Sequence, residues 1–578
     1  MVLRKIRNLK ECLDNSSVYD AYYNGSIDEN LIYFESRNGR DFTGNIFRIV
    51  EEISTGKYGD FKIHVYATPA VKNRIIEYEK NYNLKISKII TGKKEAAVSL
   101  EKAKYVFTDS GIQTKYVKRD GQVFVNTWHG TPLKLMGCDN ASEITSLGHI
   151  QHSLLSADYL IYPNEYMADR MTNAYMIEKI YPGRVLFEGY PRNSIFFTKN
   201  HDLKAELDLE DKEIFVYMPT FRGILSDMDD VGQRDDVEGY MSQIDSKLTE
   251  NQVLFAKLHA YNESQIDFSK FSHVKAFPKA YEIYEIVNLA DVLITDYSSV
   301  FFDFANTSRK IVIFNYDEEE YLSYRGFYFP LSDLPFPKVR NVDELVSELN
   351  SPKEYDDGAF IQRFCTFDNP HAASNICRHI FKGDKLSREV SIQNDKPNVL
   401  IYGGPLEDTD SLIELLDSAD FDSYNFFLTF NPWDDNIKNN YSAIFSKFPK
   451  GIEYLPFKSN LIPTFKEKLD YDKYFRKGSD MKMPDTLRKL FKRSFEKQYG
   501  SISFEFILDF YGLNPDVSLI FANSSQDKII WQHTDPTGRI NQNVLREIYD
   551  EFDLVVADSE ELADKIASIS NKDNLKVW

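Results

Sequence analysis

The sequence predicts an α/β protein built from several parallel sheets with helices on both faces. Three observations carry this. Short apolar runs rich in Val, Ile, Tyr and Phe recur between helical-looking stretches, the alternation that builds βαβ units. The chain has 578 residues, which at roughly 100–200 residues per domain exceeds what one core serves. With 42% hydrophobic, 14% aromatic and 27% charged residues, it has the composition of a folded protein rather than a disordered one.

In the first unit the candidate strands are LIYFES from Leu31, KIHVYA from Lys62, KYVFTD from Lys104, QVFVNTWH from Gln122 and YLIYPN from Tyr159. β-branched and aromatic residues at these positions suit a pleated, buried surface. After GYPRNS, Gly189 to Ser194, a polar stretch around 199–211 leads to IFVYMPT from Ile214, VLFAKLH from Val253, DVLITD from Asp291 and KIVIFNYD from Lys310. Two doubly wound units, residues 1–200 and 201–385, therefore leave a cleft, and ligands of such sheets bind beyond the carboxyl ends of the strands. Residues 386–397 read as a charged linker. Residues 398–578 form a third Rossmann-like unit, opening on NVLIYGG and continuing through SLIFANSS from Ser518, KIIWQHTDP from Lys528, DLVVADSEELADKI from Asp553 and a final NLKVW. That ending suggests half of a two-domain enzyme whose partner half is absent.

Charge and punctuation exclude several classes. The 89 acidic and 69 basic side chains give a net charge of −20, which argues against coating a nucleic acid. The N-terminal MVLRKIRNLKECLDN lacks the apolar core of a signal peptide, and no run of about 20 apolar residues follows. Cys12, Cys138, Cys365 and Cys377 form no CxxC pair, so neither a disulfide framework nor a thiolate zinc site is expected, and a reducing cytoplasm fits. GxxxxGKS, HExxH and GxSxG motifs and spaced Asp/His metal clusters are absent from the sequence, so no metal or other cofactor is called for.

The candidate chemistry lies at strand ends. His129, in NTWHGTPLKLMG, follows a strand and precedes Gly130 and Thr131, a loop where an imidazole can face a cleft and move protons; the alternative is a buried histidine bonded to a carbonyl. Ser298 and Ser299, in LITDYSSVFFDF, stand where a helix begins, so hydroxyls and free amides there can bind a diphosphate; capping by these serines or by Asp296 is the alternative. Asp303, one turn on, either orients donor hydroxyls or is a solvated helix carboxylate. Thr220 and Arg222 in VYMPTFRG, with Lys257 and His259 in FAKLHAYN, would neutralise phosphate oxygens and a leaving nucleotide. FESRNGR, Glu35 to Arg40, with a tight turn at Gly39, and YLSYRGFYF, supplying Arg325, flank the cleft.

In this order and spacing, TWHGTPLK, GYPRN, MPTFR, KLH and TDYSSVFFDF resemble the CDP-glycerol glycerophosphotransferase family of teichoic acid polymerases, from about Leu31 to about Phe381. The resemblance implies a GT-B-like fold of two facing Rossmann-type domains, the second holding the cytidine diphosphate donor. It implies a bacterial enzyme that transfers a polyol phosphate from CDP-glycerol or CDP-ribitol to a polymeric or lipid-linked acceptor, releases CMP, and works at the inner face of the cell membrane. His129 then corresponds to the family's proposed base, His259 to its second functional histidine, and Ser298, Ser299 and Arg222 to donor contacts. Lys257 departs from the family's arginine at that strand end, exchanging a bidentate contact for a point charge. Asn-Pro-His in FCTFDNPHAASN, from Phe364, stands where a glycine-centred turn is expected.

The third unit resembles more faintly the acceptor-side half of retaining GT-B glycosyltransferases, at Gly403–Gly404, WQHTDP and DLVVADSEELADK. That resemblance implies that sugar transfer needs a further half, and His533 is read as structural. In PDTLRKLFKRSFEKQY, Leu487, Leu490, Phe491 and Phe495 share one helical face amid basic residues; this is either a membrane-surface helix or one packed on its own domain. Two further functions compete with polyol-phosphate transfer: nucleotide-sugar glycosyl transfer in the same cleft, and a noncatalytic scaffold or membrane adaptor.

Overall fold

The computed structural model describes residues 2–140, 143–198, 201–220, 237–258, 266–385, 387–407, 409–457, 461–476, 480–570 and 574–578. They form three sheets in which the strands run parallel except for one edge pair. The first sheet contains β1 (Asp28–Glu35), β2 (Lys62–Tyr66), β3 (Ile86–Ile90), β4 (Ala103–Thr108), β5 (Val123–Asn126), β6 (Tyr159–Tyr162) and β7 (Arg184–Phe187). The second contains β8 (Glu213–Met218), β9 (Gln252–Ala256), β10 (Val274–Ala276), β11 (Val292–Thr295), β12 (Lys310–Phe314) and β13 (Lys338–Val339). β14 (Arg388–Val390) returns to the first sheet, antiparallel on β7. The third contains β15 (Asn398–Tyr402), β16 (Asn425–Thr429), β17 (Glu453–Tyr454), β18 (Phe506–Asp509), β19 (Asp527–Gln532), β20 (Leu554–Ala557) and β21 (Leu575–Val577).

Counted within each sheet, the strand order is the same: third, second, first, fourth, fifth, sixth, with a seventh in the third sheet and a seventh and eighth in the first. This is the doubly wound order, whose reversal between first and fourth strands opens a crevice at their carboxyl ends. In the first sheet that point lies between β1 and β4, and in the second between β8 and β11. A buried aspartate bridges each crevice. Asp109, after β4, accepts from Ser36 Oγ (2.6 Å) and the Arg37 amide (2.9 Å) after β1. Asp296, after β11, accepts from the Thr220 amide (2.8 Å) and Thr220 Oγ1 (2.7 Å) after β8.

Three expectations change, and one choice between two readings is decided. Residues 386–397 are not wholly linker, because Arg388–Val390 pair with Val185–Phe187. The preceding helix Ala372–Lys382 buries Ile376 and Cys377 in the core of the first unit, with Ile46, Phe107 and Leu186. The apolar run at Ser518 is a helix, Pro515–Ala522: Pro515 sits at its first position, and the Asn514 side chain caps it by accepting from the Val517 amide. A short run that is apolar all round does not distinguish a buried strand from a buried helix, and here the Asn-Pro start decides. Of the two readings of the basic helix, Asp485–Tyr499, the one packed on its own domain holds. Leu487, Leu490 and Phe491 are fully buried within the protein, Arg493 is buried against Glu467 (2.8 Å) with its guanidinium 3.7 Å from the centre of the Tyr19 ring, and Arg488 pairs with Glu547 and Glu551. Among the described residues no helix is long and apolar enough to cross a membrane.

The third unit is docked rather than tethered. One continuous core joins residues of the first sheet, such as Leu160 and Val185, to Leu400, Phe427 and Leu490 of the third unit. Helix Ile144–Ser156 makes the seam: Gln151 Nε2 donates to the Tyr454 carbonyl (2.7 Å), and a Cβ on Gly148 would lie 2.4 Å from the Pro456 carbonyl oxygen. Gly148→Leu is therefore expected to lower thermal stability, read by differential scanning calorimetry, because a side chain there meets backbone that cannot swing away.

Candidate active site

The loop after β5 fixes the imidazole of His129. Its Nδ1 donates to the Asp109 carbonyl at 2.6 Å, so Nδ1 carries the proton and Nε2 keeps its lone pair. The ring stacks on Trp128, with centroids 4.6 Å apart. Trp128 adopts φ 51°, a conformation that costs a non-glycine residue about 1–3 kcal/mol and persists only where its surroundings fix it. The fixing bonds are here: the Trp128 amide donates to Asn126 Oδ1 (2.9 Å), and its carbonyl accepts from Asn45 Nδ2 (3.1 Å). Burial, with the positive charges of Arg37 and Arg192, pushes the His129 imidazole down to about 3, against the favourable bond to Asp109. The ring is thus neutral at physiological pH, as a proton acceptor must be.

Arg192, from GYPRNS, joins this loop to the second unit. Its Nη1 donates to the His129 carbonyl (2.9 Å) and its Nη2 to Asp303 Oδ2 (2.7 Å). The guanidinium lies 4.8 Å from the Tyr190 ring centre and 5.1 Å from that of Tyr284, and the Tyr284 hydroxyl also donates to Asp303 (3.2 Å). Arg192 and Asp303 are 4% and 2% exposed, so the pair is a buried one. Burial works against the charge on Arg192, but Asp303 and the two tyrosines outweigh it and hold the guanidinium above its ordinary value. Burial raises the Asp303 carboxyl while Arg192 pulls it back; with a guanidinium that keeps its proton, the pair is ionic.

Beside the pair, the two units touch where the chemistry is expected. A Cβ on Gly130 would lie 2.5 Å from Ser299 Oγ, so only glycine lets the imidazole loop approach the serines this closely. Gly130→Ala is expected to leave the fold intact and lower kcat at least tenfold by pushing Ser299 away, checked by steady-state kinetics alongside circular dichroism. Thr131 is buried and accepts from Asn164 Nδ2 (3.3 Å). Further along, the Leu135 amide donates to the Gly326 carbonyl (2.9 Å) and the Tyr328 amide to the Leu133 carbonyl (2.8 Å), a short pairing between the units.

The residues expected on the donor side divide. Ser298 and Ser299 are half-buried at the mouth of helix Val300–Phe304, and the Ser299 side chain makes no capping bond. The helix has 5 residues, too few for a substantial macrodipole, so anion affinity there rests on hydroxyls and amides. Lys257 is half-buried after β9, its Nζ 3.3 Å from the Leu258 carbonyl. Thr220 and Asp296 bond each other, which makes Asp296 an organiser of the crevice. Asp303 is neither a solvated carboxylate nor free for donor hydroxyls, because Arg192 and Tyr284 occupy it. Arg325 is likewise engaged, its Nη2 donating to Glu143 Oε1 of the first unit (2.7 Å). Arg222 and His259 lie outside the described residues. Gly39 takes the left-handed turn expected of it (φ 75°), and Arg37 and Asn38 join it at 45° and 56°. The Asn-Pro-His segment brings Asp368 to the same seam, where it accepts from Asn193 Nδ2 (2.9 Å) and Asn306 Nδ2 (2.8 Å).

Arg192, Asp109, Asn45 and Tyr284 were not among the expected site residues. Only Arg192 carried a sequence signal, as the charged residue of GYPRNS; the others act through contacts between segments far apart in the chain.

Residues 17–382 match the family described as CDP-Glycerol:Poly(glycerophosphate) glycerophosphotransferase. The chain belongs to that family. Among its glycerophosphotransferase relatives, the teichoic acid glycerol-phosphate transferase of Staphylococcus aureus is 27% identical over 407 residues, covering 65% of this chain and 100% of its own length. The teichoic acid poly(glycerol phosphate) polymerase of Bacillus subtilis is 26% identical over 418 residues; the alignment covers 66% of this chain and 53% of the polymerase, about half its length. The solved structure of the wall teichoic acid polymerase TagF superposes with a TM-score of 0.53 at 23% identity, covering 66% of this chain and 96% of that one, which supports a common fold. The family match ends at residue 382, before the third unit.

Proposed function

We propose that this chain transfers glycerol phosphate or ribitol phosphate from the CDP-activated polyol to a hydroxyl of a teichoic-acid-like or capsular polymer, or of its lipid-linked primer. The observation that carries the reading is the neutral, tautomer-fixed imidazole of His129 at a seam where Gly130 meets Ser299. The acceptor hydroxyl gives its proton to His129 Nε2 as its oxygen bonds to the phosphorus bearing the polyol. The bond from that phosphorus to the bridging oxygen breaks, and CMP departs with the electron pair. Lys257, Ser298 and Ser299, with Arg222 and His259, stabilise the charge that collects on the diphosphate oxygens. Positioning and electrostatics suffice, so no covalent intermediate and no cofactor enters the scheme.

The reading includes a GT-B-like arrangement. Residues 1–200, completed by 372–390, form the acceptor lobe, the intervening residues form the donor lobe, and 398–578 form the third unit. A lipid-linked acceptor would bring the protein to the inner membrane face without an anchoring helix.

Incubation with CDP-glycerol and CDP-ribitol in parallel, each with a polyol-phosphate primer, tests this: CMP release read by chromatography supports it, and failure of both donors overturns it. The electrostatics of His129 add a pH expectation. Its pKa in the free protein is pushed down by burial to about 3, far below the ordinary 6.5, so the base is unprotonated throughout the neutral and mildly acidic range. The kcat/KM profile, which reports the free enzyme, should show no acid-side fall centred near 6.5 that is attributable to His129; an acid limb there, abolished by His129→Gln, counts against it.

A further inference from the structure

The third unit carries its own cavity of about 470 Å³, within the range of small-ligand sites, at about 300–1,000 Å³. Its position follows from topology. Phe510, His533, Asp558 and Trp578 each directly follow the last residue of β18, β19, β20 and β21, four neighbouring strands of a sheet in doubly wound order, and all four line it. Helix Asp410–Asp417, which follows β15, closes one side with Ser411 and Glu414. The cavity therefore lies where the ligands of such sheets bind.

Its chemistry differs from that of the second sheet. There the residue following β9 is Lys257. Here the described residues lining the cavity include no lysine or arginine, while Glu414 and Asp558 bring negative charge, so a phosphate or nucleotide would meet no counter-charge. The Gly403–Gly404 turn offers no cradle either: a Cβ on Gly404 would lie 2.4 Å from the Tyr511 ring, and one on Gly403 would lie 2.6 Å from Leu406, so the space beside both glycines is already filled by the protein. The walls are aromatic. Trp531 stacks on His533 at 17° with centroids 5.5 Å apart, Phe510 lies 4.4 Å from the same imidazole, and Trp578 packs edge-on to Trp531 at 5.2 Å.

The polar groups are oriented. Asp558 accepts from Trp531 Nε1 (2.6 Å) through one oxygen and faces His533 Nδ1 (2.8 Å) with the other. His533 Nε2 is buried without a hydrogen-bond partner, so the imidazole serves to orient Asp558 and Trp531, and the accessible polar groups are those of Asp558, Glu414 and Ser411. Flat apolar rings beside an oriented imidazole, a carboxylate and a hydroxyl match a molecule with C–H faces and hydroxyl edges. We propose that this cavity binds an uncharged sugar ring, held against the aromatic wall with its hydroxyls on Asp558, Glu414 and Ser411. This site is separate from the transfer cleft and does not rest on the reading of that cleft.

The protein of residues 1–578 is titrated with N-acetylglucosamine and with its short oligomer, standing for free and chain-borne sugar, with choline as a cationic probe and UDP as an anionic one. Binding is followed by tryptophan fluorescence and saturation-transfer NMR. Saturable binding of either sugar is expected, weakened at least tenfold by Asp558→Ala and abolished by Ser411→Trp, an exposed substitution that fills the cavity without touching the core. CMP release should be unchanged in both variants, which separates failure of this site from failure of the cleft. Absence of sugar binding, a preference for choline or UDP, or undiminished binding in Ser411→Trp overturns the assignment.

Discussion

Replacing His129 by alanine is expected to lower CMP release from the CDP-polyol by a factor of about 10²–10⁴, the range a positioned general base supplies. The size follows from the site. The imidazole is neutral, its tautomer is set by the Asp109 carbonyl, and the loop that carries it is held by Asn45 and Arg192. None of these partners offers a substitute proton acceptor at the same place. Because the ring is half-buried and its main bond is to a backbone carbonyl, its removal leaves no buried charge behind, and the far-ultraviolet circular dichroism and unfolding midpoint should change little. A folded variant that releases CMP at the parental rate removes His129 from the mechanism.

The second large effect is at Arg192. Arg192→Ala leaves the Asp303 carboxylate buried without its cation, and breaking a buried pair in this way costs roughly 3–5 kcal/mol. It also releases the His129 carbonyl, so stability and turnover should fall together. Arg192→Lys separates the two consequences. A lysine keeps the charge near Asp303 but has one ammonium where the guanidinium makes two directed bonds, so most stability returns while kcat stays depressed and KM for the donor is little changed. The readouts are chemical denaturation and steady-state kinetics. Parental kcat in a stable Arg192→Lys protein denies Arg192 a positioning role, and parental stability in Arg192→Ala denies the pair its structural one.

Much of the architecture was legible in the chain. Runs such as IFVYM and KIVIF are fully or nearly fully apolar, as strands covered on both faces must be, and β8 and β12 occupy those places. What escaped was either weakly patterned or set by tertiary contact. β3 (ISKII) is lysine-interrupted and β13 has 2 residues, so neither makes a run long enough to read. The apolar stripe of helix Asp485–Tyr499 was plain in the sequence, but its destination was not. Periodicity shows that a face will be covered and says nothing of whether lipid or protein covers it.

The site shows the same division. His129 and the paired serines stand at chain reversals, where glycine, proline and small hydroxyl residues mark an abrupt loop. Asp303 read as either a donor contact or a solvated carboxylate because its partner, Arg192, lies 111 residues away in sequence. Asp296 looked like a cap, and the bond it makes to Thr220 spans 76 residues. Long-range ion pairs leave no local signature.

The antiparallel strand Arg388–Val390 has a bearing on biosynthesis. It makes the second unit an insertion nested within the sheet of the first unit, since that sheet gains its last edge from residues that emerge well after Phe187. At about 5–20 residues per second the ribosome takes roughly 10–40 s to cover that interval. During it the inserted lobe can complete its own six strands while the enclosing sheet still lacks one border. The lobe that begins first during translation is thus the one that must finish later.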